Sequence, residues 1–235
     1  MISFKRHELK YFVNEFECNS LIPKLSSLMP KDEYDQDSSG YSVRSLYFDS
    51  YDDECLHEKL SGISQRSKYR LRIYNGEESL VKLEVKSKNN FMIHKKSIVI
   101  DYECANAMIR GDYRKLANIN SPLANEIYCK FSRGLYKPKV IVEYRRVAFT
   151  HPISNFRVTF DLDVKTALSE TNLFKKNLNF FPILRENKQI LEIKYNEIIP
   201  SFAKYLLSGV AGERSAISKY TLARRFNKIQ KFEDN

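Results

Sequence analysis

Lys68-Tyr69-Arg70-Leu71-Arg72-Ile73 sets a cation at every second position, with an aromatic or aliphatic residue between. Successive side chains of an extended strand point to opposite faces, so this segment carries three cations on one face and an apolar strip on the other. Lys82-Leu83-Glu84-Val85-Lys86 repeats the arrangement with a carboxylate between two cations. Arg6-His7-Glu8-Leu9-Lys10 and Glu192-Ile193-Lys194 do the same near the two ends of the chain. Guanidinium groups present forked donors that match phosphate oxygens, and ammonium groups supply compact charge. A carboxylate among them can hold Mg²⁺ or Mn²⁺, hard cations that also bridge to phosphate oxygens. One such strand reads as a solvated sheet face. Four of them point to a surface that holds a polyanion together with a metal ion.

The candidate phosphate-binding cations are Lys10, Lys59, Arg70, Arg72, Lys86, Arg146, Arg157, Lys194, Lys204 and Lys219. Taken singly, each reads as a surface cation. Arg70, Arg72 and Lys86 differ because alternation on adjacent hairpin strands puts them side by side, and crowding cations is unfavourable unless an anion neutralises them. Glu8, Glu84 and Glu192 share strand faces with the cations, where they either neutralise them or ligate the metal; Asp161 and Asp163 are weaker metal candidates of the same kind. Side chains must do this work, because seven glycines and no GxxxxGK[ST] or GxGxxG pattern leave no glycine-rich phosphate loop. His7, His57, His94 and His151 show no metal or triad spacing, and Ser218 reads as structural rather than nucleophilic.

Composition agrees with an anionic partner. Thirty-nine Lys and Arg against twenty-nine Asp and Glu give a formal charge of +10 over 235 residues. The chain is 43% hydrophobic and 13% aromatic, enough for a real core. Cys18, Cys55, Cys104 and Cys129 are widely spaced, without a CxxC pair, and read as free thiols of a reducing compartment. No cationic-then-apolar leader and no apolar run approaching membrane-spanning length is present, so a cytoplasmic protein is expected, free or against the inner face of a membrane through a partner.

The elements that must position these residues follow from periodicity. Phe16, Cys18, Leu21, Ile22, Leu25 and Leu28 recur at helical spacing in 14–29, before Pro30. Strands are expected at 41–49, 67–75, 79–88, 93–101, 138–149, 155–163 and 189–196, with Asn75-Gly76 as a hairpin turn. Short helices are expected around 51–60, 102–109 and 121–132. The tail, 201–232, reads as helical and basic, packed through Ile217, Leu222, Phe226 and Ile229 or docked on a membrane partner or anionic lipid. The result is a single α+β domain over 1–235, dominated by antiparallel sheet.

Seven segments then run in a recognisable order: Arg6-His7-Glu8-Leu9-Lys10-Tyr11, Ser45-Leu46-Tyr47-Phe48-Asp49, Tyr69-Arg70-Leu71-Arg72-Ile73-Tyr74, Leu83-Glu84-Val85-Lys86, Tyr144-Arg145-Arg146-Val147-Ala148-Phe149, Leu191-Glu192-Ile193-Lys194-Tyr195 and Ser218-Lys219-Tyr220. Together they resemble the VTC domain, the polyphosphate polymerase domain of the vacuolar transporter chaperone complex and its bacterial stand-alone relatives. That domain belongs to the triphosphate tunnel metalloenzymes (CYTH-like). The resemblance implies an eight-stranded antiparallel β-barrel tunnel with flanking helices and a basic lumen. It places Lys10, Arg70, Arg72, Lys86, Arg146 and Arg157 at phosphate-binding positions and Glu192 at the Mn²⁺- or Mg²⁺-binding glutamate. Lys59 stands where eukaryotic members carry arginine, and Ser201 replaces a basic residue near Lys204, with Lys219 available to compensate.

The activity so implied is transfer of the γ-phosphoryl of ATP to a growing inorganic polyphosphate chain. A metal-dependent tripolyphosphatase or nucleoside triphosphatase is the alternative, and a non-catalytic polyphosphate- or nucleotide-binding domain a third. Nucleic acid fits less well, because the interleaved carboxylates would repel its phosphates.

Overall fold

The computed structural model describes residues 7–35, 39–90, 92–152, 155–185, 187–196, 198–212 and 214–233, with 231–233 described by backbone alone. Arg6 lies outside the described residues, as do the side chains of Lys231 and Phe232. Two compact units divide the chain: residues 1–42, 144–164 and 184–218 form the first, and 43–143, 165–183 and 219–235 the second. The class is α+β and the sheet antiparallel, as the alternating patterns predict. Eight strands lie on its main path, and a two-residue ninth pairs at one side.

In the first unit, β1 (His7–Asn14) pairs along its whole length with β9 (Lys188–Tyr195), and β9 pairs with β7 (Arg157–Thr166). The last residues of β6 (Lys137–Thr150) lie on the other side of β7. Strict alternation sends Val13, Val147, Phe149, Val158, Phe160, Leu191 and Ile193 to one face. There they pack against Cys18, Leu21 and Leu25 of α1 (Glu15–Ser26). A capping box starts α1: Glu17 N–H donates to Asn14 Oδ1 and Asn14 N–H to Glu17 Oε2, both at 2.8 Å. The helix stops at Ser26, short of the expected 29, so Leu28 falls beyond it. Phe16 is 81% exposed and Leu28 52%, so neither joins the core face that their spacing suggested. After α1 the chain runs beside the end of β6, Asp32 N–H donating to Ala148 O at 2.9 Å and Thr150 N–H to Pro30 O at 3.1 Å.

The tail departs from the sequence pattern. It forms α6 (Ser201–Ser208) and α7 (Lys219–Glu233) as two separate helices. Between them, Gly212 and the residues from Arg214 lie close to β1. Arg214 forms a bridge with Tyr11, and Ser215 N–H donates to Lys10 O at 3.0 Å. A Cβ on Gly212 would sit 2.2 Å from Phe12 O, so only glycine allows this approach.

In the second unit, β2 (Tyr41–Asp49), β3 (Arg66–Tyr74), β4 (Val81–Asn89) and β5 (Met92–Ile100) form an antiparallel meander, with the first residues of β6 beside β2. The two-residue β8 (Phe181–Pro182) pairs with the end of β7. Asn75 and Gly76 turn the β3–β4 hairpin, both at positive φ, the conformation that asparagine and glycine tolerate. Leu46, Leu71, Leu83 and Val85 fill one face of the meander, each worth about 1.5–3 kcal/mol on burial. Helices α2 (Glu54–Leu60), α3 (Tyr102–Ile109), α4 (Arg114–Ala117) and α5 (Pro122–Arg133) belong to this unit. Phe131 of α5 touches the rings of Phe48, Tyr69, Tyr113 and Tyr136 at 4.7–5.3 Å.

Asp49, fully buried, ties α2 and α7 to this sheet. Its Oδ1 accepts from Cys55 N–H at 2.8 Å and its Oδ2 from Leu56 N–H at 3.1 Å and from the Tyr220 hydroxyl. Arg224 donates to Tyr220 at 2.9 Å and to Asp53 at 2.5 Å. Among the described side chains the buried residues of α7 are Tyr220, Thr221, Ala223 and Arg224; Ile217 precedes the helix, and Ile229 is exposed. All four cysteines are unpaired. Among the described residues no helix is long and apolar enough to cross a membrane.

Candidate active site

The register of the first unit aligns its charges into rungs. Glu8 lies opposite Lys194, which lies opposite Arg157; Lys10 lies opposite Glu192, which lies opposite Thr159. This ionic face is buried in part: Glu192 is 5% exposed, Thr159 1% and Asp161 0%, while Glu8, Lys10, Arg157 and Lys194 are half-buried. Lys10 Nζ sits 2.9 Å from Glu8 Oε1 and 3.2 Å from Glu192 Oε2, while Lys194 Nζ pairs with Glu192 Oε1. Burial opposes the charge of Lys10, but Glu192 and Glu8 outweigh it and hold the ammonium well above its ordinary value. For Lys194 burial prevails over Glu192 and Glu8, with Arg146 adding repulsion, and its pKa is lowered.

Arg146 and Arg157 belong to the same unit. The Arg146 guanidinium grips Asp161 with two bonds, Nε to Oδ1 at 2.7 Å and Nη2 to Oδ2 at 3.0 Å, and also reaches the Tyr144 hydroxyl at 3.2 Å. Burial disfavours its charge, yet Asp161 keeps it firmly cationic. Arg157 pairs with Asp32, which the chain after α1 carries to it. Asp161 is thus a partner of arginine rather than the metal candidate its sequence context offered. Asp163 is 62% exposed at its side chain and lies 3.5 Å from Arg145.

Glu8 and Glu192 aim oxygens at one ammonium, so two hard donors converge on a point where a cation already sits. Among the described residues no group of three or more His, Cys, Asp or Glu is placed to hold a metal ion, so the set Glu8, Glu84 and Glu192 is not a preformed ligand cluster. Two carboxylates nevertheless suit Mg²⁺ or Mn²⁺, which keep several waters and take further oxygens from a substrate phosphate. The residues present fit that group.

In the second unit the ionic face of β3, β4 and β5 is dominated by cations. Lys68 lies opposite Lys86, which lies opposite Lys95; Arg72 lies opposite Lys82; Arg70 lies opposite Glu84. Like charges placed directly opposite cost stability. Glu84, 2% exposed, anchors the group: Arg70 Nε donates to Oε2 at 2.7 Å, Arg72 Nη1 lies 3.6 Å from Oε2, and Lys95 pairs with Oε1. Its oxygens serve cations, which makes it an orienting group for Arg70 and Arg72. Arg70 also donates to the Tyr47 hydroxyl at 3.1 Å and Arg72 to Ser45 Oγ at 3.1 Å. Burial opposes ionisation of Tyr47, but Arg70, Arg72 and Lys219 outweigh it and lower the phenol's pKa. Lys219 therefore opens α7 within electrostatic reach of this face. Lys59 sits on α2, half-buried, and Lys204 on α6, exposed.

Sequence reasoning missed Asp32, Tyr47, Asp49, Lys95 and Tyr220 as supporting groups. Tyr47, Asp49 and Tyr220 fall inside segments that carried the family resemblance, the one signal that could have marked them.

A stability prediction follows from Glu84. Burial would raise its carboxyl, but Arg70, Arg72 and Lys95 depress it well below the ordinary 4.5. A depressed carboxylate contributes stability that is full above its unfolded pKa and is lost as pH falls through the folded value. Glu84→Gln is expected to cost about 3–5 kcal/mol at neutral pH, because three cations lose their counter-charge. The difference from wild type should hold down to about pH 5 and shrink in stronger acid, as read by urea unfolding. A pH-independent difference would contradict the assignment.

The comparisons with known proteins agree with this geometry. The family model described as VTC domain matches residues 5–226. No curated protein matches the chain at sequence level. Among solved structures, it is similar to HpAC1 from Hippeastrum, assigned as an adenylyl cyclase and described as having a dominant triphosphatase activity. The TM-score is 0.55 at 14% identity, over 94% of this chain and 96% of that one. A protein from Bacillus halodurans assigned as an adenylate cyclase gives 0.54 at 14% identity, over 97% and 98%. At such identities these likenesses carry the fold alone: an eight-stranded antiparallel sheet with flanking helices.

Proposed function

The chain belongs to the VTC domain family, and from that premise we propose that it is a metal-dependent polyphosphate polymerase drawing on ATP. The observation that carries the reading is the buried ionic strand face on which Glu8 and Glu192 converge on Lys10. A buried sheet face is normally apolar; one packed with cations and two convergent carboxylates has the composition needed for phosphate and a hard divalent cation.

The reaction forms a bond from a terminal oxygen of the chain-end phosphate to the γ-phosphorus of ATP and breaks the bond from that phosphorus to the β–γ bridging oxygen, so ADP leaves. Such transfers need alignment and charge neutralisation more than a protein nucleophile. Arg70, Arg72 and Lys86 in the second unit, and Lys10, Arg146 and Arg157 in the first, bind phosphate oxygens. Lys59, Lys194, Lys204 and Lys219 add charge for the chain. Glu84, Asp161 and Asp32 hold Arg70, Arg146 and Arg157 in fixed planes, so little reorganisation is required when charge develops. Glu192 with Glu8 would hold the Mg²⁺ or Mn²⁺, which when bound would supply charge neutralisation for the transferring phosphoryl group. An integral-membrane partner that receives the product chain belongs to the same reading.

Hydrolysis is the second reading, favoured by the partial exposure of the side chains of Arg157 (28%), Lys194 (25%) and Lys10 (20%), which lets water approach. Incubation with ATP and Mn²⁺, with products resolved on a gel, tests the two. A ladder of long chains is the expected outcome. Free phosphate alone would favour the hydrolase, and neither product would favour a binding domain.

A further inference from the structure

A cavity of about 420 Å³ opens in the second unit where α2 and α5 meet the start of β3 and the end of β4. Its size is that of a small-molecule site, yet charged side chains line it. Glu54 and Glu58 face it one helical turn apart on α2, a spacing at which like charges repel. Glu54 is compensated, with Lys130 Nζ at 2.9 Å and the Tyr136 hydroxyl donating at 3.0 Å. Glu58 makes no ion pair among the described residues, and burial with the charge of Glu54 pushes its carboxyl up.

Arg66 and Lys88 line the same cavity directly opposite one another in the β3–β4 register, cation against cation. Lys88 also makes no ion pair among the described residues. Asn90 N–H donates to Ser64 O at 3.2 Å, which pins the strand ends beside the cavity. A carboxyl and a pair of cations therefore line one open pocket without closing on each other.

We propose that this cavity binds a small phosphate monoester bearing hydroxyl groups, of the sugar phosphate class, with Arg66 and Lys88 taking the dianion and Glu58 a hydroxyl. Two adjacent cations call for two negative charges, which a phosphate monoester supplies and a carboxylate does not. The amide of Asn89 adds donors and an acceptor for further hydroxyls. This site is separate in its residues from Arg70, Arg72 and Glu84.

Calorimetric titration of the whole chain with glucose 6-phosphate, inorganic phosphate and glucose, without ATP or metal, tests the assignment. Glucose 6-phosphate is expected to bind at least about tenfold more tightly than either fragment, because both kinds of partner are engaged. Binding should persist in Arg70→Ala, which removes phosphate uptake by the cation-rich strand face. It should fall about tenfold or more in Lys88→Ala, and Glu58→Ala should lose the preference over inorganic phosphate. Lys88→Met, which keeps the aliphatic stem, separates loss of charge from loss of packing. Absence of binding to folded wild type, affinity no better than that of inorganic phosphate, or unchanged binding in both Lys88 variants would overturn the proposal.

Discussion

Replacing Glu192 with alanine is expected to lower turnover of ATP about a hundredfold or more and to remove its dependence on Mn²⁺ or Mg²⁺. Glu192 touches both Lys10 and Lys194, and with Glu8 it supplies the paired oxygens suited to a divalent cation. Its loss would remove a proposed metal donor and leave the ammonium groups of Lys10 and Lys194 beside one remaining carboxylate, Glu8. Glu192→Gln separates these effects, since it keeps the volume and an acceptor oxygen but no charge. It should match alanine in lost metal activation while disturbing the fold less. Initial rates measured across a Mn²⁺ titration check this, and a variant that retains full metal activation would remove Glu192 from the role.

Asp161→Ala is expected to lose about 3–5 kcal/mol of stability in urea unfolding. The carboxylate is fully buried and receives two bonds from Arg146, so its removal strands a guanidinium that burial already disfavours. Asp161→Asn keeps part of the hydrogen bonding and should cost less. The ranking matters more than either value, because a merely solvated pair would yield under about 1 kcal/mol in both variants.

Much of this molecule is legible in its sequence, because period-two alternation survives wherever a strand has one ionic and one apolar face. Strand β2 falls at 41–49 as expected, and Arg70, Arg72 and Lys86 share a face because the β3–β4 register sets Lys68 opposite Lys86 and Arg72 opposite Lys82. Alternation cannot say which distant charge neutralises which. Asp32 reaches Arg157 and Lys95 reaches Glu84 only through strand order, so those partners stayed hidden. The tail misled for a different reason. The helical reading of 201–232 runs across Gly209 and Gly212, but Gly209 caps α6 and Gly212 lies against the backbone of Phe12. Phe16 and Leu28 show the complementary failure, apolar residues at helical spacing that sit at or beyond the ends of α1, outside its packed turns.

The central claim is that the γ-phosphoryl of ATP passes to a phosphate chain rather than to water. It is tested most directly by supplying γ-labelled ATP, Mn²⁺ and a short unlabelled polyphosphate, then measuring how the label divides between chain and free phosphate. Label at the chain end, lost in Arg70→Ala and Glu192→Ala, is the predicted result. Label recovered entirely as free phosphate, with the acceptor unchanged, would contradict it.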